Sequence, residues 1–186
     1  MDASKVTAGK PKITGAVYRA PLGTTLPTSV TADLNSAFKE MGYVSDAGVV
    51  NSNSPSNTAI KAWGGDTVLN IQTSKDDTFK FTLIEVLNVD VLKFVFGEDN
   101  VMGDLDTGLT VKVNGKEVDE VSIVIDMILR NNTPRRIVIP DCKISNIEDI
   151  SYVDNDAVGY GVTTTCMPDD AGNTHYEYTK RSGVSG

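Results

Sequence analysis

Residues 121–130 read VSIVIDMILR, and this apolar stretch decides the fold class. Its side chains alternate in the pattern of a β-strand, and several are branched at Cβ. Ser122 and Asp126 interrupt the run, which is also much shorter than the roughly 18–20 apolar residues that a membrane helix needs. We therefore predict a strand here, in a soluble protein with no membrane partner.

The composition of the whole chain also favours β-structure. Val, Ile and Thr together number 53 of the 186 residues, against 21 for Ala and Leu. Side chains branched at Cβ fit a pleated sheet and lose rotamer freedom in a helix. Aspartate outnumbers glutamate by 18 to 7, and aspartate suits turns better than helix interiors. With 40% hydrophobic residues, this length indicates one globular domain, 1–186.

Further strands are predicted on both sides of the central run. Asn114-Gly115 is a strong hairpin signal, and it lies between an apolar run at 109–113 and the strand at 121–130. The other predicted strands are 15–19, one that begins at Tyr43 and Val44 and runs into the polar stretch after them, then 67–73 and 78–85 as a hairpin, 136–139 and 143–153 as a second pair, 158–167, and 174–178.

Two segments have apolar residues at helical spacing. Residues 86–96 form one apolar stripe that ends at Gly97, which predicts the main helix and leaves a third strand as the alternative. Thr31 is placed to cap a shorter helix that runs to about Met41. The expected fold is mainly β (α+β), an antiparallel β-sandwich or barrel flanked by one main α-helix.

Three polar segments lack a periodic pattern. Residues 1–14 are expected to form an extended N-terminal arm that is ordered only when something binds it, and 181–186 a flexible C-terminal end. Residues 46–62 are rich in Asn and Ser and are expected to form a long early loop. Loops of that length in a compact domain are usually functional or disordered.

Two acidic motifs are candidates for a catalytic site and a calcium site. Asp106-Thr107-Gly108 resembles the signature of aspartic proteases, but the residues before it are not the apolar strand that this site requires. The surrounding acidic run fails as a calcium loop, because Gly108 and Gly115 stand where ligands are needed. A loop that caps the next strand is the simpler interpretation.

The remaining reactive residues predict no catalytic site, cofactor or metal. His175 has no second histidine nearby in sequence and is interpreted as a packed or solvent-facing side chain. Cys142 and Cys166 lack a CxxC spacing and are expected to be buried. Trp63 precedes a Gly-Gly pair and is interpreted as a packed residue beside a tight bend.

The charge and the cysteine count exclude other classes. A net charge of −8 argues against a general nucleic-acid binder, because affinity for phosphates comes largely from Lys and Arg. Two cysteines are too few for a disulfide scaffold, and the first residues lack the apolar segment of a secretion signal. An intracellular protein is expected.

Eight stretches resemble, in order, the major tail protein, or tail tube protein, of long-tailed non-contractile bacteriophages (siphophages). They are residues 9–12, 15–28, 42–48, 60–66, 79–85, 88–93, 136–141 and 172–178. The resemblance implies a β-sandwich or barrel with a flanking helix. It also implies a structural virion protein, not an enzyme, whose hexameric rings stack into a tail tube that delivers genome DNA.

The resemblance also implies partners and contacts. The expected partners are further copies of the chain, the tape measure protein, the tail terminator and tail-tip proteins, with DNA passing through the lumen without specific binding. Assembly is expected in the bacterial cytoplasm, and the product in the virion tail. In this family the long early loop contacts the next ring, and 46–62 is the matching segment. Its candidate contact residues are Asp46, Val49, Val50, Asn51, Asn53, Pro55, Asn57 and Ile60, with Lys10 and Lys12 in the N-terminal arm.

The sequence leaves two alternative functions open. One is a monomeric β-sandwich binding module of a phage tail, with Trp63 as part of a binding platform. The other is an aspartic-protease-like enzyme that uses Asp106.

Overall fold

A computed structural model describes residues 1–12 and 16–181, and it is a mainly β fold with one α-helix in that part of the chain. The predicted fold class is thereby confirmed. The strands are β1 (Lys10–Pro11), β2 (Val17–Pro21), β3 (Lys39–Glu40), β4 (Val44–Lys61), β5 (Thr67–Leu83), β6 (Val101–Met102), β7 (Thr110–Val111), β8 (Val121–Leu129), β9 (Thr133–Ile147), β10 (Tyr160–Met167) and β11 (Tyr176–Thr179). The helix is α1 (Val89–Phe96), and short 3₁₀ turns cover Ala3–Lys5, Glu98–Asn100 and Arg130–Asn132.

Nine strands form one antiparallel sheet. Their order is β3-β2-β8-β9-β10-β5-β4, with β1 also paired to β8 and β11 also paired to β9. A second, two-stranded sheet joins β6 to β7. The sheet edges are therefore the short β3 on one side and the long β4 on the other.

The main core lies between the sheet and α1. Residues of β8 alternate, so Ile123 and Ile125 face the helix while Val124 faces the opposite side. Phe81 of β5 stacks on Phe94 of α1, with ring centroids 6.5 Å apart. All of these side chains are buried, and this is the burial that stabilises the body of the molecule.

Helix α1 confirms the helical prediction for 86–96 and excludes the strand alternative. It begins later than predicted, because the Asn88 side chain accepts a hydrogen bond from the Asp90 amide at 3.0 Å and so caps the helix. It ends at Gly97, whose φ of 97° lies outside the helical range. The Gly97 N–H donates to the Lys93 carbonyl at 2.9 Å.

The predicted helix from Thr31 to Met41 is wrong. Leu34 and Phe38 do pack against the sheet, beside Val124, but in an irregular segment that ends in β3. Helical spacing therefore identified buried residues without identifying their backbone conformation. Part of the reason is Arg136, which binds carbonyl groups in this segment and holds it in a non-helical path.

Three strand pairings also differ from prediction. The expected hairpin of 67–73 and 78–85 is the single strand β5, and the expected pair 136–139 and 143–153 is the single strand β9. Pro140 lies within β9, where a bulge opposite Ser122 accommodates it. Strand β7 pairs with β6 and not with β8, so Asn114-Gly115 is not the turn of a hairpin.

The predicted flexible ends lie partly outside the described residues. Lys10 and Pro11 pair with Ile128 and Met127 of β8, so this part of the N-terminal arm lies along the sheet. Residues 13–15 and 182–186 are outside the described residues, and the flexibility expected for 1–14 and 181–186 stays a prediction.

A buried ion pair joins the sheet to the irregular segment. The Arg136 guanidinium donates to both carboxylate oxygens of Asp126, at 2.6 and 2.8 Å. It also donates to the carbonyls of Ser29 and Ala32, at 3.1 and 2.6 Å. The two charged side chains are 4% and 5% exposed.

We predict that Arg136→Ala lowers the free energy of unfolding by about 3–5 kcal/mol, because it removes both hydrogen bonds to the buried Asp126 carboxylate and leaves only the half-exposed Lys12 ammonium, 3.5 Å away, as a counter-charge. The matched control is Arg135→Ala, since Arg135 pairs with Glu177 near the surface and such pairs contribute about 0–1 kcal/mol. Urea titration followed by circular dichroism measures both. Equal losses in the two variants would contradict the assignment.

Candidate assembly surface

A long hairpin projects from the body of the molecule. Strands β4 and β5 pair as far as Lys61 and Thr67, and every residue from 50 to 76 is exposed. Strand β10 pairs with β5 only from Thr78 to Leu83, so the hairpin beyond Asp77 has no third strand in the described structure. We call residues 50–76 the arm. At about 3.3 Å per residue, its free part from Asn53 to Lys61 spans about 26 Å.

The expected loop at 46–62 is therefore a strand for nearly all of its length. Its Asn-rich and Ser-rich sequence has no apolar alternation because neither face of the arm is buried against the body. Backbone hydrogen bonds to β5 define the strand instead. An isolated two-stranded hairpin is marginally stable in water, so the arm by itself contributes little stability to the subunit.

The tip of the arm is the turn from Ala62 to Asp66. Gly64 and Gly65 have φ values of 126° and 99°, which side-chain-bearing residues rarely adopt. The Ala62 N–H donates to the Asp66 carbonyl at 2.8 Å and closes the turn. Trp63 is fully exposed at this tip, so its predicted packing in the core is wrong.

The base of the arm is fixed by Asp77. Its carboxylate is 2% exposed and accepts hydrogen bonds from Asn51 Nδ2 at 2.7 Å and Thr174 Oγ1 at 2.6 Å. The Nδ1 atom of His175 lies 2.5 Å from the same carboxylate, and the His175 ring packs edge-on against Phe79. His175 is thus the packed side chain that one of its two interpretations predicted.

The electrostatics of this cluster hold Asp77 in its charged form. Burial by itself raises the pKa of Asp77, but hydrogen bonds from Thr174, Asn51 and His175, together with the His175 charge, outweigh burial. The pKa of Asp77 is therefore below its ordinary value of 3.8. The cluster joins β4, β5 and the segment before β11 at the point where the arm leaves the body.

The two cysteines lie opposite each other in β9 and β10 and are both buried, as predicted. Burial raises the pKa of Cys166 to about 12, and it also raises the pKa of Cys142. Thiols with such high pKa values are poor nucleophiles at neutral pH. Cys166 also lines an open cavity of about 520 Å³ beside the Asp77 cluster.

The acidic loop near Asp106 is organised by a different residue. The Asp104 carboxylate accepts hydrogen bonds from the Asp106 amide at 3.0 Å and from the Thr107 amide and hydroxyl, both at 2.7 Å. This is a turn-capping arrangement, as the simpler interpretation held. Within residues 1–12 and 16–181, no group of three or more His, Cys, Asp or Glu side chains is arranged to hold a metal ion.

The candidate contact residues divide between the base of the arm and its free part. Asp46 precedes the arm and is exposed, while Val49 packs against the main core. Val50 and Asn51 lie at the base, and Asn53, opposite Asp77, is where the free part begins. Pro55, Asn57 and Ile60 lie in the free part, where all three are exposed.

The two lysines of the N-terminal arm differ in their surroundings. Lys10 is exposed beside Ile128, whereas the Lys12 ammonium lies 3.5 Å from the Asp126 carboxylate. The structure brings neither lysine to the arm formed by β4 and β5. Sequence reasoning also missed the β5 half of that arm, where the exposed apolar residues Val68, Leu69 and Ile71 lie.

Comparison with known families gives one finding. A family model described as phage tail tube protein matches residues 3–182. No curated protein sequence matches the chain. In the described part of the chain, no helix is long and apolar enough to cross a membrane.

We predict that Asp77→Asn lowers the free energy of unfolding by about 1–3 kcal/mol at pH 7, because the amide cannot replace all of the carboxylate's hydrogen bonds. Since the folded-state pKa of Asp77 is lowered, its stabilisation is present above the ordinary carboxyl pKa and is lost as the pH falls through and below that value. Unfolding measured from pH 6 to pH 3 should therefore be less pH-dependent in this variant. Asp76→Asn, at the exposed neighbouring position, is the control. If Asp77→Asn unfolds with the same pH dependence as the natural chain, the charged Asp77 carboxylate does not stabilise the base of the arm.

Proposed function

Because this chain belongs to the family of phage tail tube proteins, we propose that it is the subunit of hexameric rings that stack into the tail tube and convey genome DNA. The family is one of structural proteins that self-assemble into a tube within the phage tail, and it is not an enzyme family.

The observation that carries the proposal is the exposed arm with its unpaired edge. Strand β4 is an edge strand of 18 residues, and an exposed edge of that length is a template for pairing with another chain. In a monomer it is a liability. In a tube, neighbouring subunits cover it, and the matching segment 46–62 reaches the next ring.

Assembly into rings and tubes requires contacts between two different surfaces of the subunit. Contacts between two different surfaces of identical subunits close into a ring when the rotation permits, and they propagate along an axis when each ring stacks on the next. The arm lies at one edge of the sheet and the short β3 at the other, so the two edges differ. Six subunits in each ring is the number that the family resemblance implies.

The charge suits a channel for DNA. With a net charge of −8, the subunit repels phosphates and releases few counterions on contact. DNA therefore passes through the lumen without specific binding. Anisotropy of a labelled DNA duplex should show no binding tighter than about 10⁻⁴ M at physiological salt, the weak end of the non-specific range. Tighter, salt-dependent binding would contradict this.

The remaining partners are the tape measure protein, the tail terminator and the tail-tip proteins, and assembly takes place in the bacterial cytoplasm. The N-terminal arm, with the exposed Lys10 and with Lys12 near Asp126, is a second candidate contact. Segments that order only on assembly delay polymerisation until a template is present. In this proposal the chain has no catalytic activity. The Asp106 amide donates a hydrogen bond to the Asp104 carboxylate and so helps to form the turn.

A second candidate function is a monomeric binding module, which the full exposure of Trp63 favours. Exposed tryptophans are common in recognition surfaces. A change of Trp63 fluorescence on adding a sugar, while the protein stays monomeric, is the result that this alternative predicts.

Negative-stain electron microscopy and light scattering of the purified protein test the lead proposal. We expect rings or tubes of uniform diameter with a central channel, at high concentration or on addition of tail-tip complexes. The control is a variant in which residues 55–75 are replaced by Asn-Gly, a two-residue hairpin turn, which should give folded subunits but no tubes. Persistent monomer of the natural chain, even with tail tips, would contradict the proposal.

A further inference from the structure

The free part of the arm has two chemically different faces. In an antiparallel pair, directly opposed residues lie on the same face, and successive pairs alternate between faces. The pairs beyond the bulge at Ser56 and Asn57 therefore separate into two sets. The apolar face consists of Thr58, Ile60, Leu69 and Ile71, and the amide face consists of Asn57, Ala59, Asn70 and Gln72. Val68, which is 62% exposed, has no opposite residue, because a second register shift near the tip leaves it between the pairs of Leu69 and Thr67.

The apolar face is open to solvent. Ile60, Leu69 and Ile71 are 45%, 52% and 44% exposed, and Trp63 at the adjoining tip is fully exposed. Closer to the body, the next pairs on the same face are polar, such as Ser54 with Asp76, and the first apolar residue beyond them is Val50, opposite Lys80. A contiguous apolar stripe at the end of an otherwise polar arm marks an interaction surface and not a stray hydrophobic residue.

The bulge decides where this stripe points. One extra residue on β5, at Thr73, shifts the alternation of that strand between Ser74 and Gln72. Leu69 and Ile71 consequently lie on the face opposite to that of Phe79, which is buried in the main core. The stripe therefore faces away from the side on which the subunit's own core lies.

The net charge of the arm favours another copy of the chain as its partner. Residues 50–76 contain two lysines and two aspartates, so the arm is neutral, while the whole chain has a net charge of −8. A neutral segment approaches another copy of an acidic chain without the repulsion that two bodies experience. Because the family assembles from copies of one chain, a second copy is the partner that fits.

We propose that the apolar face and Trp63 are buried against a second copy of this chain, while the amide face stays outside that contact. This inference rests on the proposed function, and it specifies which face of the arm makes the contact. An isolated hairpin is only marginally stable, and burial of one face against a second copy would stabilise it.

Two matched double variants on neighbouring pairs test the assignment. Ile60→Thr with Leu69→Thr alters the apolar face, and Ala59→Thr with Asn70→Thr alters the amide face. Threonine favours strands, so both variants preserve the hairpin. We expect the first to raise the critical concentration for assembly at least about tenfold, equivalent to about 1.4 kcal/mol, and the second to leave it within about twofold. Sedimentation measures the critical concentration.

The natural chain provides a second readout that needs no variant. Trp63 is the sole tryptophan, so its emission should shift to shorter wavelength on assembly. Equal assembly of the natural chain and the Ile60/Leu69 variant would overturn the inference, as would an unshifted Trp63 emission or equal impairment by the amide-face variant. Failure of the natural chain to assemble even with tail tips would instead overturn the proposed function, and this inference with it. Unchanged urea unfolding of both variants shows that any loss of assembly is not a loss of fold.

Discussion

A two-stranded ribbon satisfies its backbone hydrogen bonds along one edge of each strand but buries neither of its faces. The arm beyond Asp77 is such a ribbon, and it extends about 26 Å past the last pairing with β10. Burial of apolar surface is the main favourable contribution to folding, so the arm draws little stability from within itself. Our proposal is that another copy of the chain covers the arm, as expected for a protein of the tail tube family.

The rest of the molecule supports the arm from one end. The body is a nine-stranded sheet whose core packs against α1, and β5 runs from that core directly into the arm. Asp77 stands at the transition and fixes β4, β5 and the segment at His175 to one another. A buried, hydrogen-bonded carboxylate therefore ties the base of the arm to the body. The Asp126–Arg136 pair has the corresponding role on the opposite side of the sheet, where it holds the irregular segment.

The sequence predicted the body better than the arm, for physical reasons. Strands β8 and β10 and helix α1 were predicted because each is packed in the body, and their buried residues leave an apolar pattern of strand or helix period in the sequence. Strand β5 was divided in two because its polar residues at 74–77 resemble a turn when their surroundings are unknown. The Asp77–His175 contact joins residues 98 positions apart, and no local pattern signals it. Trp63 was predicted to pack beside the Gly-Gly bend, but the bend is the tip of the arm, where the body of the subunit covers no residue from 50 to 76. The family resemblance was confirmed over residues 3–182, whereas the ring contacts remain predictions.

We propose that the arm joins one copy of this chain to another through its apolar face. A cryo-electron microscopy map of the assembled protein, at a resolution that separates strands and large side chains, would show this contact. We expect each arm to cross to a neighbouring copy with Trp63, Ile60 and Leu69 against that copy and Asn70 outside the contact. An arm that folds back on its own subunit, or that meets its neighbour through the amide face, would contradict it.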